Sequence, residues 1–183
     1  AEAISKCEEN IISFSGEPVV SKLEFLKSLA IARVYGFKEY EKALQFIKLN
    51  YSVTLEGKEA ERILKEVLPQ INDDEFKENK LSENYKIVYV FEKDENDKIS
   101  QQLNDLQQYI DGVDFLDLRV SEDFYNNIVT FVIVHGLKSY DGSFGLSERL
   151  EKTINIQADS FFVISSDNYK TIQIHKNLEQ FRN

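Results

Sequence analysis

Tyr85-Lys86-Ile87-Val88-Tyr89-Val90-Phe91 is the stretch on which the fold turns. Apart from Lys86, every side chain in it is β-branched or aromatic, the composition of a buried strand. Upstream, apolar residues recur every three to four positions. Downstream, stretches of period two appear. The pattern changes near residue 84, which places the chain in the α+β class: helices first, then a sheet with its own helices.

Beyond the first strand, Asp94-Glu95-Asn96-Asp97 supplies a turn and a helix start. Ile99 to Ile110 is helical, with Ile99, Leu103, Leu106 and Ile110 on one face. Val113 to Val120 alternates and predicts a half-exposed strand. Ser121 to Asn127 predicts a turn. Ile128 to Val134 is almost continuously apolar and suits a central strand buried on both sides. Leu146 to Ile154 predicts the second helix, Phe161 to Ile164 the last strand, Asp167 to Thr171 a turn, and Ile174 to Phe181 a short closing helix. The order βαββαβ spells the split βαβ, ferredoxin-like plan. The right-handed crossover rule then puts both helices on one face of a four-stranded antiparallel sheet. Its other face is expected to be open, or covered by the helical half or a partner.

Before residue 70 the spacing predicts four helices. The first carries Ile4, Cys7, Ile11, Ile12 and Phe14 and closes at Ser15-Gly16. Glu17-Pro18 opens the second, with Pro in the first turn where its missing N–H is harmless. The second presents Leu23, Leu26, Ala30 with Ile31, and Val34, and ends at Gly36. Glu39 to Asn50 is the third. Thr54 caps the fourth, Leu55 to Val67, which stops at Leu68-Pro69. Short loops between such helices predict antiparallel hairpins. Residues 70–84 are polar and read as a linker. The expected organisation is a helical segment over 1–69, a linker over 70–84 and the ferredoxin-like domain over 85–183.

Composition narrows the functional classes. Lys and Arg number 22 against 32 Asp and Glu, for a net charge of −10. That excess argues against nucleic acid and anionic membranes, which recruit clustered cations. No apolar run approaches the ~18–20 residues of a membrane span. One Cys excludes an internal disulfide. The absence of Met, even at position 1, predicts a piece of a longer polypeptide, with any targeting signal or lipid anchor outside it.

The motifs of catalysis are missing. Asp141-Gly142-Ser143-Phe144-Gly145 lacks the Lys of a phosphate loop. Neither His135 nor His175 has a second His or Cys at ligand spacing. Ser165-Ser166-Asp167-Asn168 follows a strand but lacks a nucleophile elbow, and its residues are turn chemistry. Asp114 and Asp117, three apart on a strand, face opposite sides and cannot pair as acid and base. No catalytic, cofactor-binding or metal-ligating residue is therefore assigned. The interaction candidates are two aromatic pairs expected in loops, Phe124 with Tyr125 and Tyr140 with Phe144.

Two resemblances add to this. Leu29-Ala30-Ile31-Ala32-Arg33-Val34-Tyr35-Gly36 followed by Tyr40-Glu41-Lys42-Ala43-Leu44-Gln45-Phe46 resembles a tetratricopeptide helix pair, with Ala43 as the small residue where helices touch. Such units normally stack in arrays. Helices joined through Glu56-Gly57-Lys58-Glu59-Ala60 to a module ending in Phe161-Phe162-Val163-Ile164-Ser165-Ser166-Asp167-Asn168-Tyr169-Lys170-Thr171 resemble a wider pattern. This is the tetratricopeptide-repeat lipoprotein family of the type IX secretion and gliding-motility apparatus of Bacteroidota. The resemblance implies a non-enzymatic scaffold in the periplasm, attached to the outer membrane. Its partners would be other proteins of the secretion machinery, linking the outer-membrane translocon to periplasmic motor components. The alternative is a peptidoglycan-binding module of the SPOR kind, which binds across an open sheet face.

Overall fold

The computed structural model describes residues 2–78, 81–113 and 117–183. The chain is α+β and divides into two compact units. One holds the described residues up to Glu75 together with Thr171–Asn183, and the other holds Phe76–Lys170.

The helical unit begins with α1 (Glu2–Ser13), α2 (Val20–Tyr35), α3 (Phe37–Asn50) and α4 (Leu55–Arg62). Each helix packs on the next. α4 widens into a π turn over Ile63–Val67 and tightens into a 3-10 turn over Leu68–Gln70, where Pro69 removes a donor and ends the run. Gly36 alone links α2 to α3, at φ +84°, a conformation that disfavours any Cβ. Thr54 caps α4, its hydroxyl accepting from Gly57 N at 3.1 Å. Gly57 answers a close approach, since a Cβ there would lie 2.0 Å from Tyr51 O. The core gathers Phe37, Leu44, Ile47, Ala60, Ile63 and Leu68. His175, from the C-terminal part of this unit, lies against Phe37 with ring centroids 5.2 Å apart.

α2 turns a different face inward from the one its leucines predict. Ser21, Glu24 and Ser28 are buried, whereas Leu26 and Leu29 stay exposed. The buried polar groups are satisfied locally. Ser21 donates to Glu56 Oε2 at 2.9 Å, Ser28 donates back to Phe25 O at 2.7 Å, and Glu24 pairs with Lys27 at 2.7 Å. Small side chains let neighbouring helices approach, and internal bonding removes the penalty of burying them.

The sheet unit runs β1 (Tyr85–Glu92), α5 (Asn96–Asp111), β2 (Arg119–Phe124), β3 (Val129–Leu137), α6 (Tyr140–Thr153) and β4 (Ser160–Ser165). The sheet order is β2-β3-β1-β4 and every neighbouring pair is antiparallel. Tyr85, Ile87, Tyr89 and Phe91 of β1 share one face with Val132, Val134 and Val163 and pack against Ile99, Leu106 and Ile110 of α5 and Leu146 and Leu150 of α6. Both helices thus cover one face. The second face carries Val88, Phe131, Ile133 and Ile164, all fully buried, so its centre is no open platform.

Three boundaries move. β2 is Arg119–Phe124 and not Val113–Val120, whose residues 114–116 lie outside the described residues. An edge strand bonds on one side only, so the polar run Ser121-Glu122-Asp123 can occupy it. α6 begins at Tyr140 because Ser139 caps it, accepting from Gly142 N at 3.1 Å; Gly142 and Gly145 mask that turn in sequence through their poor helix propensity. Residues after β4 form α7 (Ser166–His175) and not a turn. Ser165 accepts from Asn168 N at 3.3 Å, and the residue types that make turns also start helices. α8 (Leu178–Arg182) follows. Lys77 of the polar segment is fixed in the sheet unit, its N–H and C=O both held by the Asn168 amide at 2.9 Å.

Candidate functional site

The four aromatic candidates separate. Tyr125 is buried and stacks on Phe131 with centroids 4.8 Å apart, so it is core. Phe124 ends β2 and is partly buried. Tyr140 packs in the first turn of α6 against Tyr85, 6.2 Å between centroids. Phe144, one turn on, is 44% exposed and lies 5.8 Å from Tyr140. Both members of the second pair sit on a helix and not in a loop, and Phe144 is the one that presents a ring to solvent.

The structure assembles a polar network that the sequence did not suggest. β2 and β3 pair in a register that sets Arg119, Ser121 and Asp123 on the same face as His135, and Lys86 of β1 reaches the group from the next strand. Lys86 Nζ lies 3.2 Å from His135 Nδ1, and Ser121 Oγ lies 2.8 Å from His135 Nε2. Ser121 donates to Asp123 Oδ1 at 3.0 Å, and Tyr169 donates to Asp123 Oδ2 at 2.7 Å. Lys86 also stands over the Tyr169 ring, 5.4 Å from its centroid.

One proton arrangement satisfies all of these contacts. Lys86 donates to Nδ1, Nε2–H donates to Ser121, and Ser121 donates to Asp123. His135 is then neutral. Burial pushes its pKa down to about 4, and the Lys86 charge works in the same direction, against a smaller opposing pull from Asp123. Burial also lowers the Lys86 pKa, opposed by Asp123. Activation of Ser121 as a nucleophile requires Nε2 to accept its proton while a carboxylate steadies Nδ1–H. Here Nδ1 faces an ammonium, which donates and cannot accept. The network suits structural cross-bracing of β1, β2, β3 and Tyr169 better than proton abstraction.

Cys7 is buried and burial raises its thiol pKa, the opposite of what a reactive cysteine needs. Among the described residues, no three His, Cys, Asp or Glu side chains are grouped to hold a metal ion. Among those residues, too, no helix is long and apolar enough to cross a membrane.

The helical unit offers a concave surface. A groove of about 560 Å³ runs along α1, α2 and α3, floored by Ile4, Ile31 and Ala43 and flanked by Tyr35 and Phe46. Tyr35 is 51% exposed and Phe46 47%. Two intrahelical ion pairs border it, Glu24 with Lys27 at 2.7 Å and Glu39 with Lys42 at 2.6 Å. Ala43, marked in the sequence as a helix-contact residue, lines this groove. Tyr35 and Phe46 lay inside the quoted repeat-like runs, but their role depends on which helix faces turn outward. Compared with protein-family models, with curated proteins and with solved structures, the chain gives no significant match.

Proposed function

We propose that this chain is a non-catalytic protein-interaction scaffold whose helical unit receives a segment of a partner protein in the α1–α3 groove. The observation that carries this reading is the pair of half-exposed rings, Tyr35 and Phe46, which line the groove together with apolar Ile31. Aromatic anchors beside an apolar floor are the usual energetic centre of a protein contact. The ion pairs on the rim would orient the incoming segment more than hold it.

The serial packing of α1 to α4 supports a tetratricopeptide-like reading of this unit. The order β2-β3-β1-β4, with α5 after β1 and α6 after β3, supports a ferredoxin-like reading of the sheet unit. The cation facing His135 Nδ1 speaks against a Ser121 nucleophile. The setting follows from the resemblance: the periplasm, attachment to the outer membrane in a longer protein, and partners among type IX secretion and gliding components. The peptidoglycan alternative needs an open sheet face, and the burial of Val88, Phe131 and Ile133 counts against it.

The test is a pull-down from a Bacteroidota envelope fraction with the purified chain and with Tyr35→Ala/Phe46→Ala. Capture of identified secretion components, lost in the variant, supports the proposal. Capture that the variant leaves intact removes the groove as the site. Sedimentation with purified peptidoglycan, with no protein captured, replaces the scaffold reading with the alternative.

A further inference from the structure

We propose that a second copy of this chain adds its β2 antiparallel to the outer edge of β2, about a two-fold axis through Ser121. β2 is an edge of the sheet. At the hairpin, Tyr125 N donates to Val129 O at 3.2 Å, so main-chain groups of alternate residues point to β3. Those of Asp123, Ser121 and Arg119 face β3, and those of Val120 and Glu122 face outward. Among the described residues no main-chain hydrogen bond reaches Val120 or Glu122 from that outer side. An edge in this state is a template for another strand.

The charge pattern selects the occupant and the register. Arg119 and Asp123 flank Ser121 symmetrically on one face, cation on one side and anion on the other. Two copies related through Ser121 set each Arg119 opposite the other copy's Asp123. Each Val120 then exchanges both main-chain bonds with the other copy's Glu122, and it is these outward-facing groups that need partners. Cross-strand opposite charges stabilise and like charges directly opposite repel. Shifting the axis to Glu122 puts two carboxylates face to face. Shifting it to Val120 loses both ion pairs. The strand is therefore complementary to itself in one register, the requirement of a two-fold interface. A contact of one six-residue edge lies at the small end of interface sizes, so the association is weak and salt-sensitive.

The experiment is sedimentation of the full chain over a concentration series up to ~1 mM, where weak dimers populate. The expected result is a concentration-dependent rise from 21.3 kDa toward twice that mass, reduced by added salt. Val120→Pro removes an outward N–H and leaves the β2–β3 bonds in place, and although it also trims a side chain packed on the sheet core, it should abolish dimerisation while circular dichroism shows the sheet retained. Arg119→Asp turns both ion pairs repulsive and should weaken the dimer about tenfold or more. Asp123 also holds Tyr169, so its substitution could disturb the fold; register is tested instead by cysteine. In a Cys7→Ser background, Ser121→Cys should cross-link two copies on oxidation, because the residues oppose each other directly. Glu122→Cys should not. A monomer at every concentration overturns the proposal. So does a dimer indifferent to Val120→Pro and Arg119→Asp, or one that cross-links equally at position 122.

Discussion

Lowering the pH from about 7.5 to about 4.5 should destabilise the sheet unit through His135. The folded-state pKa of about 4 lies below the ordinary value near 6.5. The unfolded chain therefore binds the proton first, and stability rises with pH between the two values. The contribution is fully present above about pH 6.5 and is lost as pH falls toward 4. At 1.36 kcal/mol per pH unit the gap is worth at most ~3.4 kcal/mol. His135 is only half-buried, and solvent screening brings the expectation to ~1–2 kcal/mol. The groups that face it are Lys86, Arg119, Ser121 and Asp123, with Tyr169 held on Asp123. Protonated His135 would turn a second donor toward the Lys86 ammonium. The assay is urea unfolding of the wild type and His135→Gln at several pH values, with NMR titration of the imidazole protons. Differencing the two proteins cancels the carboxylates, which also titrate in this range. The advantage of the wild type should shrink by ~1–2 kcal/mol on acidification. A difference that stays constant with pH, or an imidazole midpoint above 6, would refute the reasoning.

Other substitutions test the packing. Gly57→Ala places a Cβ 2.0 Å from Tyr51 O, and Gly136→Ala places one 2.0 Å from Asp117 O at φ +91°; each should cost ~3 kcal/mol or more in thermal or urea unfolding. Tyr125→Ala should cost ~3–5 kcal/mol, as removal of a stacked core ring does, while Phe144→Ala should cost under ~1 kcal/mol. Similar losses for the two would contradict their placement. Tyr89 is buried with its hydroxyl unpartnered among the described residues. Tyr89→Phe should therefore be neutral or stabilising by ~1 kcal/mol, and a loss above ~1 kcal/mol would reveal a partner for that hydroxyl.

The features legible in the amino-acid order are local ones. The run from Tyr85 to Phe91 lies in β1, Thr54 is a cap, Gly36 ends a helix, and the recurrence of apolar residues every three to four positions marks α1 to α4, because each depends on residues within a turn or two of itself. The α+β class follows from the same signals. The misplaced pieces were those whose local chemistry is ambiguous. Ser121-Glu122-Asp123 looks like a turn until β3 pairs with it, and Ser165 to Asn168 makes a turn or a helix start equally well. Which face of α2 is buried depends on packing between helices, since Ser21 and Glu24 are tolerable inside once Glu56 and Lys27 meet them. Packing also decides that the residues from Thr171 onward belong to the helical unit. Lys86, Ser121, Asp123, His135 and Tyr169 are spread over more than eighty positions, and no spacing rule connects them. Strand register brought them together, and register depends on burial of a whole sheet face, a property of the pairing and not of any one strand.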